Sequence, residues 1–131
     1  VSEVKQVIVI RRDLRMRRGK EIAQGAHAAM AFLTRRMSFG TFGHPGLTAA
    51  AFTAAEREWI TGSFAKIVCR VDSLKELEDV AKGARDAGLH VEIITDSGRT
   101  EFHGALTITC LAIGPDYAEK IDPVTGGLEL Y

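Results

Sequence analysis

The sequence predicts a three-layer α/β domain: a mixed sheet of about four strands with helices on both faces. Three observations carry this reading. Residues 4–10, 64–71, 91–94 and 107–113 are short apolar or alternating runs rich in β-branched side chains, the length and composition of strands. Helical periodicity fills residues 19–36, 48–60 and 74–87 between them. Those long helical connections imply parallel neighbours with right-handed crossovers, whereas the short link between residues 94 and 107 permits an antiparallel pair.

Taken in order, residues 7–10 are continuously apolar, as expected of a strand covered on both faces. A cationic loop follows, and an alanine-rich helix starts near Gly19 and fades near Arg36. Ile22, Ala26, Ala29, Met30 and Leu33 have core-face spacing on it, while Lys20, Gln24 and His27 share a polar row at i, i+4 and i+7. Residues 38–46, with Gly40, Gly43, Pro45 and Gly46, read as a loop whose Phe39 and Phe42 tuck against the core. A phosphate-cradling role for it needs the spacing of the P-loop or the dinucleotide fingerprint, and it has neither. The next helix contains a capping-box pattern at Thr53 and Glu56, which can restart it, and it stops at Gly62.

Residues 64–71 alternate, with Ala65, Ile67, Cys69 and Val71 on one face. Ser73 and Glu76 then cap a helix striped by Leu74, Leu77, Val80, Ala81, Ala84 and Ala87 and ended by Gly88. A short strand to Ile94 delivers Asp96 and Arg99 at its carboxyl end, where ligands collect in open α/β sheets. Thr107 and Thr109 point the same way on the last long strand, which Gly114-Pro115 breaks. Residues 116–121 form a helical turn, residues 122–127 have turn chemistry, and a terminal extended piece closes the chain.

The 131 residues are one domain's length. No apolar run is long enough to cross a bilayer, and the arginines after Ile10 stand where a signal peptide would need a cleavage site, so the cytoplasm is expected. Formal charge is zero, yet residues 11–20 hold six cations against one Asp, so charge is segregated. Arg17, Arg18 and Lys20 crowd the positive end of a helix dipole, where cations are disfavoured by roughly 0.3–1 kcal/mol each. That arrangement suits a docked phosphate; a solvated basic loop is the plainer explanation. Cys69 and Cys110 lack partners at metal-ligand spacing and read as buried structural thiols, with no metal site signalled. His44, His90 and His103 read as surface residues.

The polar residues that packing leaves unexplained fall in three blocks. They are Gly19-Lys20-x-x-Ala23-Gln24-x-x-His27-Ala28, Asp96-x-Gly98-Arg99-Thr100, and Thr107 with Thr109-x-x-x-Ile113-Gly114-Pro115. With a fourth block, Ile121-Asp122-x-Val124-Thr125-Gly126-x-Leu128-x-Leu130-Tyr131, the chain resembles the type 2 peptidyl-tRNA hydrolases nearly end to end. The resemblance implies a single domain over residues 1–131 and a metal-independent, cofactor-free enzyme. It would hydrolyse the ester joining a peptide to the terminal ribose of tRNA, releasing tRNA for reuse. Departures are a connection at about residues 36–58 that is longer than usual, Leu106 where relatives often have Pro, and Ser97 where a small Ala is usual.

Ester hydrolysis at neutral pH needs a positioned water, an acceptor for its proton and donors for the oxyanion. On this resemblance Asp96 and His27 orient and deprotonate the water, while Lys20 and Thr100 stabilise developing negative charge. Gln24, Thr107 and Thr109 are expected to hold the acceptor end of the substrate; Arg12, Arg17, Arg18 and Arg99 are expected to grip the tRNA phosphate backbone. Each residue also has a plainer reading: His27 as a core histidine, Asp96 as a turn cap, Lys20 and Arg99 as a surface pair, the threonines as β-formers. No membrane is expected as a partner, and a homodimer is compatible with the sequence. A catalytically inactive tRNA- or protein-binding module of the same fold is the rival class, and a hydrolase of another acyl ester a third.

Overall fold

The computed structural model describes residues 3–39, 51–99 and 102–131. Strand β1 (Val4–Arg11) leads through a 3-10 turn (Arg12–Leu14) into helix α1 (Arg18–Phe39). Then come α2 (Ala54–Thr61), β2 (Lys66–Val71), α3 (Leu74–Asp86), β3 (Val91–Asp96), β4 (Thr107–Tyr117), α4 (Ala118–Thr125) and β5 (Glu129–Leu130). The described strands form one mixed sheet in the order β3-β4-β1-β2-β5. β1 and β2 are parallel; β1–β4, β3–β4 and β2–β5 are antiparallel. The α/β class is as the sequence predicts, and the terminal extended piece makes a fifth strand by pairing Leu130 with Cys69.

Strand β1 is central, which is why its apolar run does not alternate: Val7 and Val9 face one layer, Ile8 and Ile10 the other, and all four are buried. The first layer is α3 and α4, where Leu77, Ala81, Ala84 and Ile121 meet Val7, Val9, Cys69, Val71, Leu111 and Ile113. Ser73 accepts from the Glu76 amide to start α3, and Gly88 at φ 78° ends it, as the capping pattern predicts. Glu76 closes back onto the Asp72 amide instead of Ser73. The second layer is α1, which packs across β4, β3 and β1. Thr53 and Glu56 complete the capping box of α2.

Three expectations are corrected. Helix α1 does not bury its Ile22, Ala26 and Met30 stripe; Ile22 is 67% exposed and Met30 55%. The buried row is Gln24, Ala28 and Phe32, because small Ala28 lets the helix approach Ile8, Ile10, Cys110 and Ala112, and Phe32 packs edge-on to Trp59 at 5.9 Å. The displaced stripe walls an open apolar cleft of about 670 Å³ over the β1–β2 side of the sheet, lined also by Trp59, Phe64 and Tyr131. Second, β4 runs on through Gly114-Pro115 to Tyr117, with Gly114 at φ 84° and the pairing with β1 shifted at Lys5/Val7. Third, α4 starts later than the expected turn and extends through Pro123 to Thr125. The expectations for Phe42, His44 and the 40–50 loop, and for the side chain of Phe39, lie outside the described residues.

Candidate active site

Because β3 is antiparallel to β4 and β4 to β1, strands β1, β2 and β3 end at the same edge of the sheet, where β4 begins. That edge gathers Asp96 from the end of β3, Thr107 and Thr109 from the start of β4, and the basic loop that follows β1. The first turn of α1 lies beside them. Asp96 and Thr107 are register partners, so the topology alone brings the sequence-predicted blocks to one place.

Asp96 is the hub. Its Oδ1 accepts from Lys20 Nζ at 2.8 Å and from Gln24 Nε2 at 3.3 Å, and its Oδ2 accepts from the Gly98 amide at 2.8 Å. The side chains of Lys20 and Asp96 are only 14% and 11% exposed, so water screens this pair weakly. The hydrogen bond from Lys20 holds the Asp96 carboxyl below its ordinary range; the Gly98 amide and the charges of Lys20 and His27 act the same way, against a smaller opposing effect of burial. The Asp-x-Gly turn depends on glycine. Gly98 sits at φ 81°, and a Cβ there would lie 2.1 Å from the Ala105 carbonyl oxygen, so the loop closes over bare backbone.

Gln24 is 2% exposed and Thr109 fully buried. The Thr109 hydroxyl donates to Gln24 Oε1 at 2.5 Å, and the Cys110 thiol reaches the Gln24 carbonyl oxygen at 3.4 Å. Burial pushes that thiol up to about 11, so it is inert and serves packing, as expected. Thr107 is half-buried with its hydroxyl turned back to the Ala105 carbonyl at 3.0 Å. His27 stands exposed one turn beyond Gln24. Thr100 lies outside the described residues.

The basic rim divides into two groups. Arg12 meets Asp72 at 2.9 Å in a half-exposed pair, which solvent weakens. Arg17, Arg18 and Arg99 are exposed at the same edge. Arg11 is different and is not singled out by the sequence: it holds Asp13 through two nitrogens and donates to the Ile108 carbonyl at 3.0 Å, pinning the basic loop to β4. Its only sequence signal is an Asp two residues on. Phe102 is a second residue the pattern does not flag; its half-buried ring stands 6.0 Å from Lys20 Nζ. His90, expected at the surface, is half exposed but bonded at 2.5 Å to buried Glu92.

The model of the peptidyl-tRNA hydrolase PTH2 family matches residues 4–131. The chain belongs to this family. Among its relatives, the peptidyl-tRNA hydrolase of Methanocaldococcus jannaschii is 41% identical over 128 residues, covering 97% of this chain and 99% of that protein. The peptidyl-tRNA hydrolases of Nanoarchaeum equitans and Haloquadratum walsbyi are 41% and 38% identical, again across 98% of this chain and 99% and 100% of theirs. A solved structure, a protein of unknown function from Agrobacterium tumefaciens strain C58, shares the fold with a TM-score of 0.57 and 11% identity, covering 100% of this chain and 99% of that one. No described helix is long and apolar enough to cross a membrane.

Proposed function

We propose that the edge built around Asp96 carries out the hydrolysis for which the family is named, cleaving the ester between a peptide and the terminal ribose of tRNA in the cytoplasm, where translation runs. The observation that carries this is the Lys20–Asp96 pair at 2.8 Å, nearly closed off from water yet beside a rim of exposed arginines. Among the described residues, Lys20, Gln24 and Gly98 take three of the roughly four lone-pair positions of the Asp96 carboxylate, and we assign the fourth, on Oδ2, to the water.

A carboxylate whose acidity is strengthened this way stays ionised at neutral pH but is a weak proton acceptor. Asp96 therefore aims the water, and His27 on the same edge takes its proton, an imidazole being the side chain suited to that step near neutrality. The proton leaves as the water oxygen bonds to the ester carbon. Lys20 and the Thr100 hydroxyl meet the oxyanion that forms, and when it collapses the ribose oxygen departs with the proton that His27 took up. Arg12, Arg17, Arg18 and Arg99 hold phosphates without reading sequence, which suits an enzyme that accepts many tRNAs. We also place a second copy of the chain against the apolar cleft, since Ile22 and Met30 are more exposed there than a solitary domain favours.

Replacing Asp96 by Asn keeps the shape of the side chain and deletes its charge. Release of tRNA from a peptidyl-tRNA mimic should fall at least about a hundredfold while tRNA affinity stays within a few-fold. An Asp96→Asn enzyme with normal turnover would remove the carboxylate from the mechanism.

A further inference from the structure

Gln24 and Thr109 are expected from the sequence to touch the substrate, but the structure gives them no surface from which to do so. Gln24 is 2% exposed and Thr109 fully buried, in the interior between α1 and β4. Both polar ends of the Gln24 side chain are already in use, its oxygen by the Thr109 hydroxyl at 2.5 Å and its nitrogen by Asp96 Oδ1 at 3.3 Å.

We propose that Thr109 and Gln24 are positioning residues that form an orientation lock for Asp96, with Thr109 anchoring the Gln24 amide whose donor end faces the carboxylate. This rests on the role of Asp96 given above and adds to it two residues that act through Asp96. The chemistry of the amide makes the lock directional. An amide has a donor end and an acceptor end, and a carboxylate welcomes only the donor. The carboxylate therefore sets the direction of the amide, and the Thr109 hydroxyl, donating to Oε1, holds the amide in it. Turned over, the amide would set its oxygen against a carboxylate oxygen with no proton between them. The bond spans 85 residues of sequence, so it also clamps the catalytic face of α1 to β4. The Cys110 thiol, next along β4, holds the main-chain oxygen of the same glutamine at 3.4 Å. The helix row that carries Lys20 and His27 is thereby fixed in rotation against the strand that faces Asp96.

The consequence lies at Oδ2. With Lys20 and Gln24 both on Oδ1, the carboxylate cannot rotate without losing two bonds, and the remaining Oδ2 position stays aimed at the water. Losing the lock leaves the carboxylate in place but less well aimed.

The test is a set of variants assayed on a peptidyl-tRNA mimic for kcat and KM, with circular dichroism and thermal melting confirming the fold. Thr109→Val keeps the volume and deletes the hydroxyl. It should lower kcat about ten- to a hundredfold, the range for disturbing the hydrogen bond that Gln24 makes to the charged Asp96. KM should stay within about twofold. Thr109→Ser restores the hydroxyl and should recover most of kcat. A variant whose KM rises while kcat holds would make these residues direct substrate binders and overturn the proposal. So would a Thr109→Val enzyme of normal turnover, or a folded Thr109→Ser enzyme as impaired as the valine variant. Where Thr109→Val fails to fold, Gln24→Met, which deletes both polar ends at similar volume, must show the same kcat loss with KM held. The Asp96→Asn result separates the two claims: an inactive Asp96→Asn enzyme beside a fully active Thr109→Val enzyme refutes the lock alone.

Discussion

Lys20 Nζ and Asp96 Oδ1 lie 2.8 Å apart although 76 residues separate them in the chain. The contact joins the first turn of α1 to the end of β3, and its hydrogen bond is the main reason the carboxyl is held below its ordinary range. Lys20→Met removes that bond and keeps much of the side-chain volume, so the Asp96 carboxyl should move upward. The acid limb of kcat/KM should then shift to higher pH, and kcat should fall about a hundredfold as the oxyanion loses its cation. The stability consequence has a definite sign. A lowered carboxyl contributes stability that is present above the unfolded-state value and lost as pH falls through the folded one, so the variant should lose less stability on acidification than the wild type. Rate profiles and denaturant midpoints across the acid range check both.

The exposed arginines at the start of α1 predict a salt signature. Replacing Arg17 and Arg18 together by Ala should weaken tRNA binding. It should also flatten the plot of log affinity against log salt by about 1 to 2, since each phosphate that is no longer neutralised takes roughly 0.7–0.9 from the slope. Turnover at saturating substrate should change little, because the proposed role of these side chains is to position the RNA and not to meet the ester. Fluorescence titrations at several salt concentrations measure the slope; an unaltered slope would put the RNA on another face.

Much of the fold was legible because local and global signals agree. The continuous run of β1, the burial of Cys69 and Val71 on one face of β2, and the Ser73 cap of α3 each say where a residue must go, and the structure puts it there, whereas Ile67, expected on the same face of β2, is 37% exposed. Helix α1 was not legible to the same degree. It offers two apolar stripes, and periodicity cannot tell one that meets a sheet from one that walls an open cleft. Small Ala28 and the buried bond between Gln24 and Thr109, which joins segments distant in sequence, decide the rotation. The run through Gly114-Pro115 was hidden for a related reason. Proline reads as a breaker, but here Gly114 takes φ 84° and a shifted register absorbs the irregularity.

The stripe turned away from the core makes its own prediction. Ile22 and Met30 stand 67% and 55% exposed beside an apolar cleft, and if a second copy covers them, charge there should be intolerable to the assembly but not to the fold. Ile22→Glu should shift the particle mass in light scattering from two chains to one while the thermal melt stays cooperative. A wild-type chain that is monomeric at micromolar concentration would dismiss the second copy.

At the far end of α1, Arg36 meets Glu56 through both guanidinium nitrogens at 2.7 Å, about 24 Å along the helix from Lys20 at 1.5 Å per residue. The Glu56 side chain is 3% exposed. Burial alone would push its carboxyl up, but the bonds from Arg36 and from the Thr53 amide outweigh this and hold it below the ordinary range. In the wild type, this stability is therefore present at neutral pH and lost as pH falls through the lowered value. Arg36→Met leaves the carboxylate buried without its cation, which should cost about 3 kcal/mol at neutral pH. The folded-state carboxyl of Glu56 then rises above its unfolded value, so the sign reverses, and the variant should gain stability between neutral and mildly acidic pH where the wild type gains none. Urea midpoints at pH 7 and pH 5 reveal the reversal. Turnover per folded molecule should match the wild type, because nothing at the Asp96 edge depends on this pair.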